Sequence, residues 1–336
     1  TAAPVENSAG SMVAPSSATV ADGTYNPLSR PLFMNLLDDD ASLAKTVPFL
    51  EFGFGDGGDL LVNSVGYVAL TAEQQAEMES RLAGEDGIDV GDIVCGPDGS
   101  ISIAGSSTVL PLAEAWAEHY QEACDGITIT VESGGSSSGA GRVCANSAKG
   151  TPVDIGDMSR DWKATEANRG DDGYTMDCLV GDTSRSARQI VVAMDGLSVV
   201  MKKGGAAETC VNGMGGLTVD QLRWMFSAET SAELTTAGLD MSAVTPNGDG
   251  DDTTHKWSEL DASCPDAEIV LAYPDAASGT YEYFFEAVLD EAAAGFRTGT
   301  QSSDDNVLVN TITGDEAAIG YFGFCLLYTS DAADDW

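Results

Sequence analysis

Beyond residue 100 the chain repeats one local design: a short apolar, β-branched run, a loop of small residues, then a helical pattern. Ile101-Ser-Ile-Ala104 leads through Gly105-Ser-Ser-Thr108 into a helix over 110–122. Ile127-Thr-Ile-Thr-Val131 leads through Gly134-Gly-Ser-Ser-Ser-Gly-Ala-Gly141 into a helical stretch from Arg142. Glu268-Ile-Val-Leu-Ala-Tyr273 leads through Ser278-Gly-Thr280 into a helix from Tyr281, with Phe284, Phe285, Val288 and Leu289 at helical spacing. Strands that hand on to helices in this way form parallel pairs with crossovers, so the predicted fold class is α/β, with helices layered on mostly parallel sheets. Further strands are predicted over 31–37, 189–194, 197–201, 307–312 and 317–324. Capping boxes at Thr71-Ala-Glu-Gln74 and Thr218-Val-Asp-Gln221 mark two more helix starts. Residues 38–43 read as a loop, and 84–99, rich in Gly and Asp without an apolar period, as a linker.

Each of the three loops presents backbone N–H groups and hydroxyls at a helix N-terminus, where the macrodipole is positive. One such loop is no more than a helix cap. Three of them after successive strands make a candidate site for a small tetrahedral oxyanion, because strand carboxyl ends face the ligand crevice in open α/β sheets. Charge narrows the partner. With 15 Lys plus Arg against 54 Asp plus Glu, the formal charge is −39, which repels nucleic acid and anionic lipid surfaces. A single buried anion escapes that exclusion, since local dipoles hold it while distant carboxylates are screened over about 10 Å. The acid is spread along the chain, as in proteins kept soluble in a marine or halophilic medium.

No apolar run reaches the roughly 18 residues of a membrane-spanning helix, and the chain opens on Thr1 with neither Met nor a signal-peptide pattern, as a mature form or a fragment would. Seven cysteines without a C-x-x-C pair, and two histidines, His119 and His255, give little material for zinc. The dispersed cysteines read as disulfides of an oxidising compartment, or else as buried thiols. Asn247-Gly-Asp-Gly-Asp-Asp252 resembles half of a calcium loop but lacks the flanking helices and the closing Glu, and reads as a surface turn. No metal or cofactor is expected. Gly135-Ser-Ser-Ser-Gly139 satisfies G-x-S-x-G, which makes Ser137 the nucleophile of an alternative reading, a serine hydrolase. Its base would have to be His119 or His255, both of which read more simply as surface or structural residues, so binding without catalysis is the expectation.

Six motifs in order, Ala104-Gly-Ser-Ser-Thr-Val109, Gly135-Ser-Ser-Ser-Gly-Ala-Gly141, Val153-Asp-Ile-Gly-Asp-Met-Ser-Arg160, Asp195-Gly-Leu-Ser-Val-Val200, Ser278-Gly-Thr280 and Ala318-Ile-Gly-Tyr321, resemble those of the extracytoplasmic phosphate-binding proteins of ABC-type phosphate importers. That family belongs to the periplasmic binding protein superfamily. The resemblance implies a two-lobed periplasmic-binding-protein fold, type II-like, with the ligand in a cleft between lobes. It implies capture of inorganic phosphate, delivery to a membrane permease of an ABC importer, an extracytoplasmic location (periplasmic or anchored at the cell surface), and a monomer that binds no nucleic acid. Ligand contacts carry over to Ser107, Thr108 and the Val109 N–H, to Ser137 and Ser138, to Ser159, and to Ser278, Gly279 and Thr280. Better known members have Asp where Ser159 stands and Arg shortly before Ser-Gly-Thr, where this chain has Pro274-Asp-Ala-Ala277. Arg160 is the candidate replacement cation. Asp157 or Asp275 are candidate acceptors that would reject fully ionised sulfate. Sulfate, molybdate and arsenate are the alternative ligands.

Residues 1–83 resemble the C-terminal part of the same family, through Val13-Ala-Pro-Ser-Ser17, Ala21-Asp-Gly-Thr-Tyr25, Pro27-Leu-Ser-Arg-Pro-Leu-Phe33 and Val65-Gly-Tyr-Val-Ala-Leu70. This order reads as a circular permutation or as a slice from tandem copies. It assigns 23–194, with the linker at 84–99, to one lobe and 195–324 plus 1–22 to the other. Cys325-Leu-Leu-Tyr-Thr-Ser-Asp-Ala-Ala-Asp-Asp335 resembles translated sequencing-adapter read-through, which would make 325–336 a foreign tail, against an ordinary acidic tail as the other reading. Without Cys325 six cysteines remain, and pairing of sequence neighbours, Cys95 with Cys124, Cys144 with Cys178 and Cys210 with Cys264, is one of several connectivities.

Overall fold

The computed structural model describes residues 1–83, 93–276, 278–302 and 304–323. Residues 84–92 of the expected linker, Ala277, and the tail with Cys325 lie outside the described residues. The chain divides into two compact units, one of residues 30–195 and one of 1–29 with the chain from 196 onward. It passes between them at Ser29/Arg30, inside the Ser29–Leu37 strand, and at Asp195/Gly196, inside the Ser186–Met201 strand. The latter is one strand where two were expected. Every residue from Val192 to Met201 is buried, so the Asp-Gly pair sits in a continuous buried strand and marks no turn. Among the described residues no helix is long and apolar enough to cross a membrane.

In the 30–195 unit the Gly99–Gly105 strand runs parallel to Ile127–Ser133 on one side and to Ile155–Met158 on the other, with Ile103 opposite Val131 and Ile155. Ile155–Met158 is antiparallel to Ser29–Leu37, Phe33 facing Met158. The Leu110–Ala123 helix carries the first crossover and buries Leu112, Ala113, Trp116, Ala117 and Tyr120, an apolar stripe at helical spacing. Trp116 meets Phe49 and Phe54 of the Asp40–Phe54 helix edge-on. That helix starts inside the stretch expected as a loop, because the Asp39 carboxylate accepts from the Ala41 and Ser42 N–H groups at 3.1 and 3.0 Å and caps it. Residues 93–98, expected as linker, are fastened to the core: Cys95 is bonded to Cys124, and the Gly96 N–H donates to the Tyr120 hydroxyl at 2.9 Å.

In the other unit Val270–Pro274 lies parallel to Thr300–Ser302 and to Ala318–Gly323, and the last is antiparallel to residues 197–201. Residues 307–312, expected as a strand, belong to the Asp305–Gly314 helix. The β-branched run misleads; Asp304 caps the helix through the Asn306 N–H at 3.0 Å, and Leu308 and Ile312, four residues apart, are both buried. The aromatic core here gathers Phe226, Tyr273, Phe284 and Tyr321, with Phe226 edge-on to Tyr273 and the Phe284 and Tyr321 rings parallel at 3.9 Å. Residues 1–29 are fastened to it: the Ala3 N–H donates to Val199 O at 2.8 Å and the Tyr283 hydroxyl to Pro27 O at 2.7 Å. In the acidic turn Asp252 accepts from the N–H and hydroxyl of Ser231, and Asp251 from the Thr253 N–H and hydroxyl.

Among the described residues three disulfides are present, Cys95–Cys124, Cys144–Cys178 and Cys210–Cys264, spanning 29, 34 and 54 residues. These are the pairs of sequence neighbours.

Candidate oxyanion site

Three loops of the 30–195 unit are stitched together at the carboxyl ends of adjacent parallel strands. The Gly134 N–H donates to Gly105 O at 2.7 Å, and the Ser106 N–H to Asp157 O at 3.0 Å. The Ser159 N–H donates to Ser136 Oγ at 3.1 Å, and the two serine hydroxyls lie 3.2 Å apart. Residues 105–109, 134–138 and 157–160 therefore form one cluster, which sequence spacing alone does not reveal. Gly105 makes this approach possible: at φ 152, a Cβ there would fall 2.0 Å from Asp157 O.

The helix after the serine loop starts at Ser136, six residues earlier than expected, because Gly135 at φ 80 serves as its N-cap. Ser136, Ser137 and Ser138 thus occupy the first turn, whose N–H groups have no partner along the helix except where a turn supplies one. The Ser138 N–H finds Gly135 O at 2.9 Å. Ser136 is buried, Ser138 half-buried and Ser137 exposed. In the first loop Ser107 is half-buried, Thr108 is buried, and the buried Val109 is the N-cap of the Leu110–Ala123 helix. Thr108 is held through its backbone at both ends, its N–H donating to Ser106 Oγ at 3.1 Å and its C=O accepting from the Tyr67 hydroxyl.

Arg160 joins the cluster through Nη2, which donates to Ser137 Oγ at 2.9 Å. Its charge is already matched: Glu166 accepts from both terminal nitrogens at 2.9 Å each. Burial pushes the Glu166 carboxyl up, but the bonds from Arg160 outweigh it and hold that group below the usual range.

Sequence context gives Arg30 no role, yet its guanidinium donates from Nη2 to Thr108 Oγ1 at 3.1 Å and from Nε to Asp195 Oδ2 at 3.3 Å, all three residues being buried. The resemblance of Pro27-Leu-Ser-Arg-Pro-Leu-Phe33 to the family is the available signal. With Arg30 and Thr108 separated by 78 positions in the chain, only strand pairing brings them together.

Asp157 is fully buried and neither carboxyl oxygen has a hydrogen-bond partner among the described residues. Burial pushes it up to about 8, opposed by its own N–H, the Ser106 N–H and the more distant Arg142. A carboxyl held neutral at pH 7 is not the anionic acceptor that would repel sulfate. Asp275 accepts the Ser278 N–H through its C=O at 3.0 Å.

Ser278, Gly279 and Thr280 belong to the other unit. Ser278 is the N-cap of the Gly279–Ala287 helix, which begins two residues before the expected Tyr281, and its hydroxyl accepts from the Thr280 N–H at 3.2 Å. His255 is buried in this unit, stacked on Trp224 at 3.9 Å, and burial followed by the charge of Arg297 holds its ring down to about 3. His119 lies in the 30–195 unit, 3.9 Å from Glu122 on a helix surface. Ser137 Oγ accepts from the Arg160 guanidinium, and His119, in the same unit, lies beside Glu122.

Residues 92–335 match the family described as PBP superfamily domain. The chain is 30% identical over 227 residues to Protein SphX of Synechococcus elongatus, covering 67% of this chain and 54% of that protein. It is 27% identical over 228 residues to the phosphate-binding protein PstS of Staphylococcus saprophyticus, covering 68% and 56%. The chain spans about half the length of these curated relatives. Among solved structures it is similar to a possible phosphate binding protein from Planctomyces limnophilus, with a TM-score of 0.44 and 24% identity over 68% of this chain and 66% of that one. With the match at 92–335 extending over more than half of the 336 residues, the chain belongs to the PBP superfamily domain family.

Proposed function

We propose that the chain binds inorganic phosphate, outside the cytoplasm, and delivers it to the membrane permease of an ABC importer as a monomer, with no covalent step. The observation that carries this reading is the joining of residues 105–109, 134–138 and 157–160 into one cluster of hydroxyls and helix-start N–H groups. Such fixed dipoles replace the water shed by an oxyanion without needing to reorganise. Ser107, Thr108, the Val109 N–H, Ser137, Ser138 and Ser159 are the proposed donors, with Arg160 adding the share of its charge that Glu166 leaves. Ser278, Gly279 and Thr280 are proposed as oxyanion contacts carried by the other unit, where Ser278 caps the Gly279–Ala287 helix. The relatives named as phosphate-binding proteins support phosphate as that ligand. The chain order supports a circular permutation or a tandem slice, because residues 1–83 lie outside the family match and yet contribute strands and helices to both units.

Calorimetry tests the reading: one phosphate per chain is expected, with a large affinity loss for Thr108→Val. Absence of heat with phosphate overturns it. A second reading, another oxyanion such as sulfate, molybdate or arsenate, is favoured by Ser159. A hydroxyl can donate to a fully ionised oxygen, where a carboxylate at that position would leave both groups unpaired. Sulfate binding as tight as phosphate binding would select it.

A further inference from the structure

We propose that Arg30 is a positioning residue of the oxyanion site, fixing the Thr108 hydroxyl as a donor to the bound anion and adding a positive charge beside it. This rests on the oxyanion reading above. Arg30 stands at the start of the Ser29–Leu37 strand, 7% exposed and outside the family match at 92–335. Nη2–H donates to Thr108 Oγ1 at 3.1 Å and Nε–H to Asp195 Oδ2 at 3.3 Å. A threonine hydroxyl has one proton and two lone pairs. Once a lone pair takes the guanidinium N–H, the hydroxyl proton turns away from Arg30 and is committed to an acceptor on another side. An oxyanion seated on residues 105–109 is such an acceptor, and the adjacent cation strengthens the bond.

The rest of the arrangement serves the same end. Tyr67 and Ser106 hold the backbone of Thr108, so the hydroxyl is presented from a fixed residue. Asp195, 6% exposed, orients the planar fork of Arg30 and balances a charge that would be costly to bury alone. Both terminal nitrogens of Arg160 donate to Glu166.

The test is phosphate titration by calorimetry on the whole chain, with thermal unfolding of each variant measured in parallel. Arg30→Met is expected to weaken phosphate binding by about tenfold to a hundredfold. Since that change leaves Asp195 buried without its cation, the second variant is Arg30→Met/Asp195→Leu, which removes both charges and should fold while still binding phosphate weakly. Recovery of wild-type affinity in the double variant would reduce Arg30 to a structural partner of Asp195 and overturn the proposal. In a Thr108→Val background, Arg30→Met should cause a smaller further loss, that of its charge alone, and an undiminished loss there overturns the route through Thr108. If wild type binds phosphate and Arg30→Met binds it equally, the proposal alone fails. If wild type binds none of phosphate, sulfate, molybdate and arsenate, the proposal and the oxyanion reading fail together.

Discussion

Arg160 and Glu166 face each other through two parallel N–H···O bonds of 2.9 Å, and the same guanidinium reaches Ser137 Oγ at 2.9 Å. The pair therefore ties a cation to the serine loop while cancelling most of its charge. Replacing Glu166 with Gln keeps the shape and removes the cancellation. Stability should fall by about 1–3 kcal/mol, since a partly buried guanidinium loses its carboxylate, whereas phosphate binding should tighten. Unfolding and calorimetry on this one variant read both effects, and an unchanged dissociation constant would show that Arg160 exerts no field on the ligand.

Asp157 gives a stability that depends on pH in an unusual direction. Its ordinary value is 3.8, and burial pushes it up to about 8 in the folded chain. Between those values the unfolded chain has lost a proton that the folded chain keeps, so this group makes folding less favourable as pH rises, and the loss is complete above about 8. Asp157→Asn cannot ionise. Its advantage over wild type should be slight near pH 4 and exceed about 1 kcal/mol near pH 8, since each pH step of one between the two values contributes up to about 1.4 kcal/mol. Melting curves of the two proteins across that range check it; curves that stay parallel would contradict a neutral buried Asp157.

Gly105 and Gly23 both adopt positive φ, at 152 and 70, but differ in surroundings. A Cβ at Gly23 meets nothing within 4 Å, while one at Gly105 would fall 2.0 Å from Asp157 O and 2.3 Å from Asp157 Oδ1. Gly23→Ala should cost about 1 kcal/mol, the backbone penalty alone. Gly105→Ala forces the first and third loops apart and should cost about 3 kcal/mol or more, with loss of phosphate binding. Equal melting temperatures for the two variants would mean the loops are not held as tightly as their hydrogen bonds indicate.

What can be read from the chain and what cannot separate along a physical line. Local signals carry: Thr71 and Thr218 cap the helices they were expected to cap, with Gln74 and Gln221 completing the boxes. Val307, Val309 and Ile312 fail as strand markers because β-branched residues are tolerated in a helix whose cap and i,i+4 burial agree. The loop residues of the site are visible as small residues between a strand and a helix. Their mutual contacts, Ser136 with Ser159 and Gly105 with Gly134, depend on strand register, which no local pattern encodes. Arg30 is hidden for the same reason, since its partners Thr108 and Asp195 lie 78 and 165 residues away in the chain.

The disulfides offer the last prediction, because they divide between the units. Cys95–Cys124 and Cys144–Cys178 lie in the 30–195 unit, and Cys210–Cys264 in the other. Closing a loop restricts the unfolded chain, by about 3–4 kcal/mol for loops of this size in the chain-entropy picture, with length entering only logarithmically. Converting Cys210 and Cys264 to Ser should therefore cost only about 0.5 kcal/mol more than converting Cys95 and Cys124, for 54 residues against 29. Cys144 is fully buried against Ala140 and Val143, so its loss should also disturb the helix that carries the serine loop. Phosphate affinity should accordingly drop in Cys144→Ser/Cys178→Ser and hold in Cys95→Ser/Cys124→Ser. Peptide mapping under non-reducing conditions establishes the three pairs first, and equal affinity in both double variants would remove the link between Cys144 and the site.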